Sequence, residues 1–180
     1  LDTESGHPGV VLTTSSYGLG ESVVQGKAAP DQFWVHKETL REGYDSLVRR
    51  KLGAKEIRLV YDASGHRQVI YEPVPDAERA RFSLSDAEVL TLSRWALIIE
   101  DHYSRVRGEP TPMDIEWAKD GNSGRLFVVQ ARPETVHSQR GSAALRVYHL
   151  ETKAQPLVRG TAVGDAIAVG RARVIRHVAD

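Results

Sequence analysis

The sequence contains no cysteine, so disulfide bonds and cysteine-ligated metal sites are excluded. It has no apolar run near the 18 or so residues that a membrane-spanning helix needs. It also has no net charge, because 24 basic and 24 acidic side chains cancel. That balance gives no reason to expect nucleic acid or an anionic membrane as a partner. The lack of cysteine is compatible with a reducing cytoplasm, which is the location that we expect.

The cancelling charges are spread unevenly over the 180 residues. Residues 140–180 carry seven basic and three acidic side chains, which leaves this tail at +4 and the remainder at −4. A hydrophobic content of 41% and a charged content of 27% are typical of a globular protein. The first residues, "LDTESG", include no Met and none of the regions of a signal peptide. We therefore expect a piece of a longer polypeptide.

Local patterns predict several strands and one long helix. β-Branched and apolar residues predict a strand in "GVVLTTSSY", a short strand in "DQFWVHK" and a hairpin in "EIRLVYDASGHRQVIYEPV". Ser85 and Glu88 form an S-x-x-E capping box ahead of a helix whose apolar stripe continues to about Ser104. The stretch "REGYDSLVRRKLG" is too mixed to assign, and His36 and Lys37 read as a surface pair.

The segment "MDIEWAKDGNSGRLFVVQARPET" predicts a second hairpin with an unusual set of polar residues. Residues two apart share one face of a strand, so Asp114 lies with Glu116, and Gln130 lies with Arg132. An odd loop, the three residues "GNS", would place Asp114 opposite Gln130 and would bring both polar pairs to one face. An even loop would instead place the carboxylates beside apolar side chains, which is energetically costly.

In this arrangement Asp120 pairs with Gly124, and the apolar residues of both strands, Phe127 and Val129 among them, pack on the opposite face. Two carboxylates and an amide oxygen are ligands that Mg²⁺ accepts, and an arginine grips phosphate oxygens at two points. Together these groups predict phosphoryl-transfer chemistry. The alternative is an ordinary solvated sheet face in which Asp114 and Arg132 form a cross-strand salt bridge.

The motif "GLGES" (residues 18–22) admits two interpretations. Backbone N–H groups near glycines can hold phosphates, and Glu21 would then be a candidate contact to a nucleotide or its metal. The motif lacks the lysine of a Walker loop and the spacing of a dinucleotide fingerprint, however. A tight turn between a strand and a loop is the simpler interpretation.

Several segments together resemble one enzyme family. "LDTESG", "GLGESVVQG", "PDQFWVHK", "RRKLGAKEIRLVY" and "PMDIEWAKD" followed by "LFVVQARPETV" resemble the phosphoenolpyruvate synthases (pyruvate, water dikinases), in the order that the family has them. The resemblance continues more weakly through "VRGTAVGDAIAVGRARVI". Pyruvate, phosphate dikinases and the antibiotic-modifying rifampin phosphotransferases are more distant relatives.

The resemblance implies an α+β fold: the C-terminal part of an ATP-grasp nucleotide-binding domain, with a mostly antiparallel sheet. It implies three segments, namely residues 1–136 for this ATP-grasp part, residues 137–144 for a linker, and residues 145–180 for the opening β segment of a swivelling phosphohistidine domain. In the family, ATP phosphorylates a histidine, which then passes the phosphoryl group to pyruvate. AMP and phosphate are the other products.

The resemblance also implies roles for individual residues. Glu116 and Gln130 would hold Mg²⁺, and Arg132 would contact the transferring phosphates, so that Gln130 and Arg132 would serve catalysis. Asp114 would support the site, and Glu21 would be a further ATP contact. No nucleophile of the protein is implied in this segment.

The family's phosphohistidine motif, "GG-x-[TS]-x-HA", does not occur among the 180 residues. We therefore expect the chain to need the other half of the nucleotide site, the phosphohistidine domain and a pyruvate-binding domain for turnover, with a homodimer possible in the intact protein. Two alternatives remain: the corresponding part of a dikinase or antibiotic phosphotransferase, or an inert module that only binds nucleotide weakly or packs against other domains.

Overall fold

The computed structural model describes Asp2, residues 7–135 and the isolated positions 155, 157, 158 and 169–171. The predicted linker, residues 137–144, and nearly all of the predicted segment 145–180 lie outside the described residues. Within the described part, seven strands and four helices follow one another. No helix in that part is both long enough and apolar enough to cross a membrane.

The elements are short, except for the last helix. The strands are β1 (Val10–Ser15), β2 (Asp31–His36), β3 (Leu47–Lys51), β4 (Ile57–Tyr61), β5 (Val69–Pro73), β6 (Met113–Lys119) and β7 (Leu126–Pro133). The helices are α1 (Glu21–Val24), α2 (Lys37–Arg41), α3 (Asp76–Arg79) and α4 (Asp86–Arg107).

The strands form three small antiparallel sheets, β1–β2–β3, β4–β5 and β6–β7. The predicted strands in "GVVLTTSSY" and "DQFWVHK" are confirmed as β1 and β2, and the hairpin around "DASGH" is confirmed as β4–β5. The unassigned stretch "REGYDSLVRRKLG" contains β3, whose exposed basic residues pair with β2 at the edge of the sheet. A mixed α/β architecture with antiparallel sheets therefore agrees with the sequence-based expectation.

Helix α4 organises the core. It contacts β1, β2, β6 and β7, so it joins the three-stranded sheet to the last hairpin. The buried apolar cluster draws on β1, β2, α2 and α4 and consists of Val11, Phe33, Val35, Leu40, Leu84, Val89, Leu90, Leu92 and Leu97. From the hairpin, Trp117 and Leu126 pack against this cluster. The hairpin is therefore held in place by apolar burial on the helix.

Both ends of α4 are capped. The predicted capping box is confirmed: the Ser85 hydroxyl accepts from the Glu88 N–H, and the Glu88 carboxylate accepts from the Ser85 N–H at 2.8 Å. The predicted end near Ser104 is three residues too early. The helix continues to Arg107, because Gly108 takes the left-handed conformation (φ 74°) and its N–H donates to the Ser104 carbonyl.

The prediction of a surface pair at His36–Lys37 is wrong. His36 caps α2, with its ring Nδ1 3.0 Å from the Thr39 hydroxyl, and Lys37 is only 4% exposed. The Lys37 ammonium lies 2.7 Å from each carboxylate oxygen of Glu100 on α4. Lys37 therefore joins α2 to α4 through a largely buried ion pair.

A second buried ion pair connects three chain segments. The fully buried Asp31 carboxylate accepts from the Lys55 ammonium at 2.5 Å, the Gly53 N–H at 2.8 Å, and the N–H and hydroxyl of Ser83 at 2.8 and 2.7 Å. Lys55 is also fully buried and has a positive φ of 41°. The network fixes the start of β2 to the loops that precede β4 and α4.

Candidate functional site

The last hairpin brings the four predicted polar residues together, but with a different register. Asp114 lies opposite Arg132, and Glu116 lies opposite Gln130. The predicted pairing of Asp114 with Gln130 is therefore wrong, because the observed partner of Asp114 lies two residues further along β7. Each carboxylate nevertheless has a polar partner across the strand pair, so the predicted grouping of the four side chains holds.

The turn explains the shifted register. The predicted contact between Asp120 and Gly124 is present, since the Asp120 carbonyl accepts from the Gly124 N–H at 2.9 Å, but the Asp120 N–H donates to the Arg125 carbonyl at 2.9 Å, so that Arg125 is the residue that closes the hairpin. This leaves four residues between Asp120 and Arg125, an even number that would by itself misalign the two faces. A bulge between Glu116 and Trp117 corrects the alignment, since Trp117 pairs with Val128 and Glu116 with Gln130.

Asp120 shapes the turn itself. The hydroxyl and backbone N–H of Ser123 donate to its carboxylate at 2.5 and 2.7 Å. These hydrogen bonds favour the charged form and lower the pKa of Asp120 below its ordinary value. The turn is therefore closed by a local side-chain contact as well as by the backbone.

The four polar residues line one cavity of about 280 Å³ that lies between β1, α4 and the hairpin. Strand β1 contributes Val11, Leu12, Thr13 and Thr14, and α4 contributes Leu92, Trp95, Ala96 and Glu100. The walls thus combine an apolar floor with a small number of convergent polar groups. That combination is typical of ligand sites.

The charges in the cavity are only partly paired. The Arg132 guanidinium lies 3.6 Å from the Asp114 carboxylate, and both side chains are well exposed, at 67% and 40%. Such an exposed pair contributes little to stability, about 0–1 kcal/mol. Within residues 7–135, Glu116 has no ion pair. The site therefore offers an accessible carboxylate and a guanidinium that has free donor capacity.

A hydrogen-bonded ion pair anchors the far end of the hairpin to α4. The Lys119 ammonium lies 2.6 Å from the Glu88 carboxylate, which also belongs to the capping box. Burial alone would raise the pKa of Glu88, but the Lys119 ammonium and the Ser85 donors outweigh it and lower that pKa. The start of the helix and the orientation of the hairpin therefore depend on one carboxylate.

The apolar side of the hairpin departs from prediction. Phe127 and Val129 were expected to be packed, but they are 44% and 65% exposed. Val129 is the extra residue of the bulge, and Arg125 lies over the Phe127 ring at 5.3 Å. Of the apolar side chains of the hairpin, those of Trp117 and Leu126 pack against the buried core cluster.

Glu21 lies apart from this cavity. It is in the first turn of α1, is exposed, and accepts a hydrogen bond from the Gln25 amide at 2.6 Å. The preceding loop fits a tight turn, because Gly18 has φ 80° and forms a β-bridge with Leu59. A Cβ atom at position 18 would lie 2.4 Å from the Leu59 carbonyl oxygen. Whether Glu21 contacts a nucleotide stays a prediction.

Sequence reasoning missed Glu100 as a wall of the cavity. The signal was available, because Glu100 follows Leu92 and Ala96 at intervals of four residues and therefore lies on the same face of α4. Its partner Lys37 could not be found in this way, since the two residues are 63 positions apart.

Comparison with known proteins assigns the chain to a class. Residues 1–152 match the family model described as pyruvate phosphate dikinase, AMP/ATP-binding domain. Because the match covers most of the 180 residues, the chain belongs to this family.

The similar curated proteins are more particular. A phosphoenolpyruvate synthase of Synechocystis sp. is 51% identical over 178 residues, which are 99% of this chain and 22% of that protein. Those of Pseudomonas aeruginosa and Escherichia coli are 50% and 47% identical over 182 residues, and each match covers 100% of this chain and 22% of the relative. The resemblance to the phosphoenolpyruvate synthases is thus confirmed, and the chain spans about a fifth of the length of these relatives.

Proposed function

We propose that the chain is the C-terminal part of the ATP-grasp domain of a phosphoenolpyruvate synthase and contributes half of its Mg-ATP site. The observation that carries the proposal is the hairpin register, which sets Glu116 against Gln130 and Asp114 against Arg132 in one cavity. The family match, which is described as AMP/ATP-binding, supports a nucleotide as the ligand. The whole protein would convert ATP, pyruvate and water to phosphoenolpyruvate, AMP and phosphate.

The donor set fits magnesium held together with a nucleotide. Within the described residues, no group of three or more His, Cys, Asp or Glu side chains is arranged to hold a metal ion. Mg²⁺ usually takes one or two carboxylates and completes its six oxygen ligands with water and substrate phosphates. Glu116 and the Gln130 amide oxygen would supply the protein ligands. When bound, the ion would offset the negative charge of the phosphate oxygens.

The remaining residues would position the phosphates. Arg132 would donate two N–H groups to the oxygens of the transferring phosphoryl group, where negative charge develops. Asp114, 3.6 Å from Arg132, would restrict the orientation of its guanidinium before the nucleotide binds. Catalysis by this segment would thus be electrostatic, without a nucleophile of its own.

The division of the chain into residues 1–136, 137–144 and 145–180 belongs to the same proposal, with the last segment opening the phosphohistidine domain. The phosphohistidine and pyruvate sites would lie in other parts of the full-length protein, and so would the second half of the nucleotide site. The exposed Phe127 and Val129 favour packing of the hairpin against such a part. We expect a cytoplasmic enzyme, with a role in gluconeogenesis and a possible homodimer.

The proposal is tested by assaying the full-length protein that carries this sequence for phosphate release from ATP in the presence of pyruvate. Glu116→Ala should abolish magnesium-dependent turnover and leave the circular dichroism spectrum unchanged. Unchanged turnover would refute the site assignment. A reaction that consumes phosphate and forms pyrophosphate would instead indicate a pyruvate, phosphate dikinase, and phosphorylation of an antibiotic would indicate a rifampin phosphotransferase.

A further inference from the structure

The buried ion pair between Lys37 and Glu100 lies directly behind the candidate site. The Lys37 side chain is 5% exposed, and its ammonium is within 2.7 Å of both Glu100 oxygens. The Lys37 backbone is also fixed, because its N–H donates to the Gly9 carbonyl at 2.9 Å. A buried ammonium is costly unless it is paired, so the geometry of this pair is closely determined.

Glu100 belongs to the cavity, whereas Lys37 does not line it. Among the residues that the structure describes, the cavity is lined by three carboxylates, those of Glu100, Asp114 and Glu116, and by one cation, Arg132. These four side chains alone carry a net charge of −2, which would repel the phosphates of a nucleoside triphosphate. Lys37, which lies behind the cavity wall, brings the net charge to −1. Its ammonium contacts both oxygens of Glu100 and so holds that carboxylate against α2.

We propose that Lys37 and Glu100 form a positioning pair of the nucleotide site: Lys37 neutralises a carboxylate of the cavity wall, so that the site accepts the phosphates of Mg-ATP. This inference rests on the proposed function. The pair would act through the potential of the cavity and through the position of Glu100, and neither residue is assigned a contact with the reacting phosphate. Its effect should therefore fall on nucleotide binding more than on the chemical step.

The test is a set of charge variants in the full-length protein, with steady-state kinetics for ATP at saturating Mg²⁺ and pyruvate. Lys37→Met leaves Glu100 as an uncompensated charge near the phosphates, so the KM for ATP should rise about ten-fold while kcat changes little. Lys37→Arg should keep the KM near that of the unaltered protein. The double variant Lys37→Met, Glu100→Gln removes both charges and should restore most of the lost affinity.

A matched control comes from the next ion pair along the same two helices. Arg41→Met removes a cation that pairs with Asp101 on α4, and neither residue lines the cavity. It should leave the KM for ATP unchanged. If Lys37→Met does not fold, the KM of Glu100→Gln for ATP tests the inference instead. Loss of one negative charge from the cavity should lower that KM.

Two outcomes would overturn the inference. One is a lower melting temperature in Lys37→Met and Glu100→Gln without any change in the KM for ATP, which would indicate a purely structural pair. The other is a double variant no better than Lys37→Met. Arg132→Ala, measured alongside, separates the two proposals: if it does not weaken ATP binding, the proposed function fails, and if it does while the Lys37 series shows no effect, only this inference fails.

Discussion

Removal of the charge of Asp31 should destabilise the chain more than any exposed charge change. In Asp31→Asn, the fully buried Lys55 ammonium would retain only a neutral partner at 2.5 Å and the Gly53 carbonyl at 3.1 Å. An amide N–H₂ would also face the Ser83 N–H, which now donates to Asp31 at 2.8 Å. Breaking a buried pair in this way costs about 3–5 kcal/mol of the free energy of unfolding.

The measurement is urea denaturation of the 180-residue chain, followed by circular dichroism. For a chain of this size, a loss of that magnitude corresponds to a fall in melting temperature of roughly 10 °C. The control is Asp101→Asn, whose partner Arg41 is 42% exposed and for which we expect a loss of about 0–1 kcal/mol. Lys55→Met should cost less than Asp31→Asn, because Asp31 would keep three other donors. A free energy of unfolding for Asp31→Asn within about 1 kcal/mol of the unaltered chain would refute this account of the buried network.

Two further changes test the supports of the hairpin and of β2. The pKa of Glu88 is lowered in the fold from 4.5, so its stabilisation is present above that value and is lost as the pH falls through the folded pKa. Glu88→Gln should therefore lower the free energy of unfolding by about 0.5–1 kcal/mol at pH 7, and this difference should shrink as the pH falls below 4.5. A difference that is independent of pH would contradict this. Gly53→Ala should lower the free energy of unfolding by roughly 3 kcal/mol, because a Cβ atom there would lie 2.3 Å from the backbone of Ala29 and Pro30. Gly121→Ala is the control: a Cβ atom there has nothing within 4 Å, so the same urea titration should show almost no change.

The local elements were predictable where short-range chemistry determines them. The capping box at Ser85 and Glu88, and the turn chemistry around Asp62, specify their structures within a few residues. The end of α4 was missed by three residues, because the apolar stripe stops near Ser104, whereas the helix continues until Gly108 takes the left-handed conformation after Arg107.

The grouping in the candidate site was predictable, but its register was not. Alternation placed Asp114 with Glu116 and Gln130 with Arg132, whereas an even turn and a compensating bulge at Val129 determine which residues face each other. A bulge has no reliable short-range signal.

Long-range pairs were beyond the reach of local patterns. Lys37 looked like a surface residue, because its partner Glu100 is brought close only by the packing of α2 on α4. The same holds for Asp31 and Lys55, which are 24 positions apart and meet only because the loop before β4 folds back on β2. Both pairs depend on tertiary structure, which determines where a charge can be buried.

The most direct test of the central claim is calorimetric titration of the full-length protein with Mg-ATP. Glu116→Gln removes one negative charge of the cavity and Arg132→Ala removes its positive charge, whereas Glu109→Gln and Arg125→Ala remove charges of the same sign from exposed positions that do not line it. The account predicts that the first two variants weaken Mg-ATP binding at least ten-fold and that the two controls bind like the unaltered protein. Equal affinity in all five proteins would contradict the assignment of this hairpin to the nucleotide site.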